Sequence, residues 1–319
     1  MVKFHALFTG LFRDGETDTN IPAKEKIRLL KEEGVQAHWY TWKGCVTKEA
    51  SLLDINIVEI EEPKDKPHSK SIIGRQRQIL NVKAGLEGIP EEDIVLKTRW
   101  DMDFNQKTIE NIKSKNFFEP IKNGEINNKI WTGFYSVQEL FSPADQMYAG
   151  YQKDLNKLIQ YEYIIKGVSS DNYISHDGMQ LMPTLIANNE EVCKTIKIKE
   201  PDPSSLMFKE SHVKDNRYIS AWAYSYYLLN KYFKTGPQGT CYFKRGDGAK
   251  WPGAIVDYEK FYENYKTVIS NEGRLCGYPR YRVYDDIFVR RLVNGEYTDK
   301  FAESIATKIK ESEWSWTTY

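Results

Sequence analysis

Asp93 to Phe104 reads DIVLKTRWDMDF, and its alternation decides the fold. In an extended chain successive side chains face opposite sides of the sheet. One parity holds Ile94, Leu96, Thr98, Trp100, Met102 and Phe104, almost wholly apolar; the other holds Val95, Lys97, Arg99, Asp101 and Asp103. The pattern predicts a strand over 94–102, after a break at Pro90 and Asp93, closing on two carboxylates of one face. Such a pair can share a divalent cation with a diphosphate. Oxygen ligands suit Mg²⁺ or Mn²⁺, which keep waters and phosphate oxygens in their shell. Arg99 and Lys97 would balance the acids or reach phosphate themselves. The plain alternative is a solvated strand end with ion pairs, since a bare Asp-x-Asp is common by chance.

Upstream the chain alternates as βα units do. Phe4 to Phe8 reads as a short buried strand, followed by the loop Thr9 to Gly15. Asn20 can cap a helix with Pro22 in its first turn, ending at Gly34. Strands are expected over 35–42 and 56–60, and a helix over 71–88 with Ile72, Ile79, Val82 and Leu86 at helical spacing. Parallel neighbours need crossover connections, so the fold class is α/β with a mainly parallel, Rossmann-like, doubly wound sheet. Ligands in such sheets bind beyond the carboxyl ends of the strands. From about residue 205 the character shifts to an aromatic helix bearing Tyr218, Trp222, Tyr224 and Tyr227, then Gly/Pro-rich loops and a final helix over 297–310. The expected organisation is a domain over 1–204 with a helical, aromatic-rich extension over 205–319 packed on it.

The 45 Lys and Arg balance 45 Asp and Glu, which argues against a nucleic-acid partner, normally met by a basic excess. Apolar runs are far shorter than the ~20 residues of a membrane span, and no leader-like start is seen, so the expectation is a cytoplasmic protein, at most peripheral at the membrane's inner face. Cys45, Cys193, Cys241 and Cys276 form no C-x-x-C pair, so no structural zinc is expected. No G-x-G-x-x-G, phosphate-binding P-loop or G-x-S-x-G appears, which removes the dehydrogenase, NTPase and hydrolase readings.

An amino-terminal strand ending in a Gly loop, an Arg/Gln/Asn-bearing helix and a strand closing in Asp-Met-Asp resemble a glycosyltransferase of the GT-A fold. More narrowly, GRQRQILNVKAGLEGI (Gly74 to Ile89) followed by DIVLKTRWDMDF, with the later FSPADQMYAG (Phe141 to Gly150), is similar to the WavE-type lipopolysaccharide-synthesis family. The likeness covers roughly residues 2 to 200. It implies a nucleotide-diphosphate sugar donor, a UDP-sugar first, and a capsule or lipopolysaccharide acceptor that is an oligo- or polysaccharide, free or lipid-linked. Mn²⁺ or Mg²⁺ would sit on Asp101 and Asp103, with Asp101 and Arg99 also on the donor. Thr9 and Gly10 fall where the nucleotide enters, although a tight turn explains Gly10 equally well. Arg75, Gln78 and Asn81 share a helix face that would read the base, ribose or sugar, or would simply be solvated.

A strand is expected over 130–137, and Asp145 would begin or cap a helix near the donor sugar. Further on, inverting transfer needs a base to take the acceptor's proton. Asp177 is the first candidate and His176 its rival, with helix capping the alternative for Asp177. A retaining route needs no such base. His212 would be a third metal ligand, although a surface histidine is the simpler reading. His5, His38 and His68 have no partners at ligand spacing and receive no role. Two other functions stay open: a nucleotidyl- or phosphotransferase of similar fold, and a non-catalytic carbohydrate-binding protein.

Overall fold

The structure, a computed structural model, describes residues 2–12, 21–62, 70–114, 117–132, 135–136, 142–143, 146–159, 181–182, 184–185, 216–234, 241–244, 250–251 and 291–311. The first half runs β1 (Phe4–Thr9), α1 (Ala23–Glu32), β2 (Gln36–Trp42), α2 (Lys48–Ser51), β3 (Asn56–Ile60), α3 (Lys70–Glu87) and β4 (Ile94–Arg99). After it come β5 (Met102–Phe104), α4 (Gln106–Lys113), β6 (Ile130–Thr132), β7 (Tyr135–Ser136), β8 (Ser142–Pro143), β9 (Tyr148–Tyr151) and α5 (Gln152–Leu158). The carboxyl-terminal part gives α6 (Asn216–Tyr232), β10 (Phe233–Lys234), β11 (Cys241–Lys244), β12 (Lys250–Trp251) and α7 (Lys300–Lys310).

Seven strands form one mostly parallel sheet in the order β10-β6-β9-β4-β1-β2-β3. β1 pairs in parallel with both β2 and β4, β2 with β3, and β6 with β10, while β9 runs antiparallel between β4 and β6. The order reverses at β1: the chain steps outward to β2 and β3, then returns to place β4 on the other side. A crevice opens at such a reversal, beyond the carboxyl ends of β1 and β4.

Helices cover both faces, so strand residues of both parities are buried. On one face Leu7, Tyr40 and Val95 pack with Ile79, Val82 and Leu86 of α3 and with α5, α6 and α7. On the other, Ala6, Phe8, Trp39, Ile94 and Leu96 meet Ala23, Ile27 and Leu30 of α1 and Ile109 and Ile112 of α4. Gly85 lets α3 approach β1: a Cβ there would stand 2.5 Å from Leu7 Cδ1. Gly150 does the same for β9, where a Cβ would stand 2.5 Å from Ile130 Cδ1. Gly85 and Gly150, each in a family-like segment, thus have packing reasons that need no ligand.

The carboxyl-terminal helices belong to the same core. Tyr224 of α6 stacks on Phe301 of α7, with centroids 3.9 Å apart and planes 7° from parallel. α7 starts on Asp299, whose carboxylate accepts from Ala302 N.

Several sequence expectations change. The strand over 94–102 is two strands, for β4 ends at Arg99, the chain turns at Trp100–Asp101, and β5 pairs antiparallel with β11 in a second, three-stranded sheet. Of the strand expected over 130–137 the structure describes β6 and β7, and among the described residues β7 pairs with β8. No helix follows Asp145; the chain enters β9 at Tyr148, and the helix begins at Gln152. Pro22 is the residue at the cap of α1, and Asn20 lies outside the described residues.

Candidate functional site

The crevice expected at the reversal would lie at the ends of β1 and β4. Thr9 closes β1, is buried, and donates from Oγ1 to Thr98 O at 3.4 Å. Gly10 follows with φ +87°, a left-handed conformation that side chains resist, and its Cβ direction meets nothing within 4 Å. The turn therefore explains this glycine, and the space beside it is open. Trp39 Nε1 donates to Gly10 O at 3.0 Å, which fixes the loop's start. Beneath lies an aromatic floor: Trp100 stacks on Phe8 at 4.1 Å and meets Trp39 and Phe12 edge-on. Trp100 Nε1 is buried and has no hydrogen-bond partner.

The two aspartates are buried, not the solvated strand-end acids of the plain alternative. Asp101 is 4% exposed and takes two donors from the Arg99 guanidinium, Nε at 2.8 Å and Nη2 on the other oxygen. Asp103 is 0% exposed and forms an ion pair with Lys26 Nζ at 3.1 Å. Ile21 N also donates to Asp103 Oδ1, at 3.4 Å. Lys26 is itself 1% exposed and donates to Trp100 O at 2.7 Å. Burying either ion alone would cost several kcal/mol, which only such pairing offsets. One lysine thus ties α1 to both sides of the β4–β5 turn. The sequence carried a signal for it: Lys26 shares a helical stripe with Ala23, Ile27 and Leu30, all buried.

The α3 side supplies further polar groups. Lys97 is fully buried, with Nζ 5.2 Å from the Tyr148 ring centroid. Gly85 sits against Leu7, and α3 runs opposite to β1. One helical turn toward its amino end is about 5.4 Å, close to the ~6.6 Å rise of two strand residues. That places Asn81 level with Thr9. Asn81 is 1% exposed, and its Oδ1 has no hydrogen-bond partner. It is therefore not on a solvated face, whereas Gln78 is half-buried. Arg75 belongs to α3, but its side chain lies outside the described residues, as do Asp145, His176, Asp177 and His212.

A second polar cluster, which the sequence reading missed, sits at the opposite end of the same strands. Asn56 Nδ2 is 3.2 Å from His38 Nδ1, His38 Nε2 is 3.0 Å from His5 Nδ1, and His5 Nε2 is 3.0 Å from Asp93 Oδ2. Lys3 N donates to Asp93 Oδ1 at 2.9 Å. With the Asn56 amide as donor, every contact is satisfied when both rings are neutral and protonated on Nε2. Burial, first, depresses His38 to about 4, and a positive charge on His5 would add to it. Burial pushes Asp93 up, but Lys3 N and His5 outweigh it and hold the carboxyl below its usual range.

No family model matches the chain, and no curated protein matches it. Among the described residues no three His, Cys, Asp or Glu gather to hold a metal ion. A smaller ligand set still fits Mg²⁺ or Mn²⁺, which are commonly held by one or two carboxylates plus substrate phosphates. Asp101 fits that role, because its partner Arg99 is 32% exposed and can turn toward solvent or an anion. Asp103, enclosed with Lys26, does not fit as placed. Among the described residues no helix is long and apolar enough to cross a membrane.

Proposed function

We propose that the chain is a glycosyltransferase of the GT-A kind, moving a sugar from a nucleotide-diphosphate donor to a capsule or lipopolysaccharide acceptor, as its likeness to the WavE-type family implies. The observation that supports this most is the position of Arg99 and Asp101: they stand at the carboxyl end of β4, beside the Thr9–Gly10 turn, where the strand order reverses. An antiparallel β9 beside β4, and the Asp-Met-Asp segment pairing into a second small sheet, agree with it.

Arg99 would release Asp101 and take the diphosphate, exchanging one anion for another. Asp101 would then hold the metal, which when bound neutralises charge on the leaving diphosphate. Asn81 Oδ1 and Trp100 Nε1, both buried and without partners, would accept from and donate to the donor's hydroxyl or base edges. Asp177, with His176 as its rival, is proposed to take the acceptor's proton if transfer inverts configuration; Asp177→Asn should then lower kcat about 10²-fold.

The test is a panel of nucleotide sugars, each with Mn²⁺, read by thermal shift and by release of the nucleotide. At a ligand concentration about 100 times Kd, binding adds roughly 2.7 kcal/mol to stability. The expected result is a metal-linked shift with one nucleotide class and slow hydrolysis of its sugar. Shift without turnover would indicate a carbohydrate-binding protein, and no shift with any nucleotide would reject the transferase.

A further inference from the structure

We infer that Lys26 divides the Asp-Met-Asp pair by role: it neutralises Asp103 as a fixed anchor and leaves Asp101 as the acid that meets the metal. This rests on the transferase reading for the identity of the ligand, but the division itself rests on geometry. Lys26 Nζ reaches Trp100 O at 2.7 Å and Asp103 Oδ1 at 3.1 Å, bracketing Asp101 from both sides in the chain. Its ammonium is 1% exposed and the Asp103 carboxylate 0%, while Ile21 N donates to the same oxygen. A cation that took Asp103 as ligand would be placed beside a buried ammonium, and like charges in a low-dielectric setting repel strongly. Asp101 has no such obstacle, since Arg99 can move out to water.

Lys26 is therefore a positioning residue. It acts through Trp100 and Asp103 to set where Asp101 and Arg99 stand. Among the described residues Asp101 is the one acid left at the turn to face a cation, and one acidic ligand has little hold on a bare cation. Mn²⁺ should bind here only together with a diphosphate, whose oxygens supply the remaining ligands.

Calorimetry with Mn²⁺ and UDP, together with melting curves, separates the roles. Mn²⁺ alone, up to about 1 mM, should give no saturable heat; that range covers the weak sites known for oxygen-ligand cations. Asp101→Asn should lose Mn²⁺-linked UDP affinity by about tenfold or more, the weight of one charged contact. Asp103→Asn keeps the oxygen toward Lys26 and should retain that affinity within about threefold, with a lower melting temperature. Lys26→Met should melt about 10 °C lower, because it leaves a buried carboxylate without its ammonium. The double variant Lys26→Met/Asp103→Leu, which removes both charges of the pair, should regain most of that loss. Asp103→Asn folding normally yet losing metal-linked affinity as Asp101→Asn does would overturn the division, as would micromolar Mn²⁺ binding without nucleotide. If the wild type binds no UDP at all, the transferase reading fails, while the melting-temperature rescue still decides whether Lys26 and Asp103 form an anchor pair.

Discussion

At the carboxyl ends of β1 and β4 the buried polar groups are ions of opposite sign, Lys26 with Asp103 and Arg99 with Asp101. At the amino ends of the same strands they are two imidazoles in a hydrogen-bonded chain that crosses β3, β2 and β1 and stops on Asp93, just before β4. The difference lies in what each end can give up. An ion pair with one half-exposed member can trade its partner for a charged ligand, because the released ion is taken by water. A neutral chain with every donor and acceptor used has nothing to trade, so it stitches strands together and little else. The same sheet therefore keeps one pair with an exposed member, Arg99 with Asp101, beside the enclosed Lys26–Asp103 pair at one end, and a hydrogen-bonded chain at the other.

The sharpest way to break this contrast is Asp101→Ala. Turnover should fall about 10²-fold or more, the usual weight of one charge-stabilising group. The melting temperature should stay near that of the wild type, since the Arg99 side chain is 32% exposed and its charge reaches water. A large stability loss with intact turnover would make Asp101 a structural acid like Asp103.

At the other end the pattern should invert. Asp93→Ala removes the acceptor for His5 Nε2 and Lys3 N, at a cost of about 1–3 kcal/mol for buried groups left unpaired. Its donor KM should not change. A raised KM there would mean that the two ends are coupled, and the contrast would fail.

Acid should also act through the amino end. His38 is held near 4, below its ordinary 6.5, by burial and by His5. The unfolded chain therefore takes up this proton first, so the contribution is full above about pH 6.5 and fades as pH falls toward 4. Asp93, held low, loses its own contribution in the same direction at still lower pH. Melting curves across that range should fall with pH, and His38→Phe should flatten the part between 6.5 and 4. An unchanged slope in that variant would remove His38 from the cause.

The smallest expected effect is on α3. Gln78→Ala should raise donor KM about fivefold, the worth of one neutral hydrogen bond, and leave stability nearly unchanged. Identical kinetics would place the donor's contacts elsewhere.

Local pattern carried the frame well. β3 stands at the bounds its alternation suggests, α3 begins one residue before its expected start, and the reversal at β1 follows from the βα order. It failed where distant partners decide. The apolar parity runs on through Trp100 and Met102, so alternation alone shows no break. The break comes from pairing with Cys241 to Phe243, far along the chain. Asp103 looks exposed in its own segment because its counter-ion lies on α1. His5 and His38 meet only through the register of β1 with β2, which places Leu7 opposite His38. Asp145 follows Ser142-Pro143, a helix-start signal, yet the chain there becomes β8 and then β9.

Hydrogen exchange of the full chain with and without UDP and Mn²⁺, read peptide by peptide, tests the contrast between the two ends most directly. A diphosphate site at the carboxyl ends predicts slowed exchange at 9–12 and 99–104, with 3–5, 36–38 and 56 unchanged. Protection at the amino-end histidines, or none at the β1 and β4 ends under saturating ligand, would contradict it.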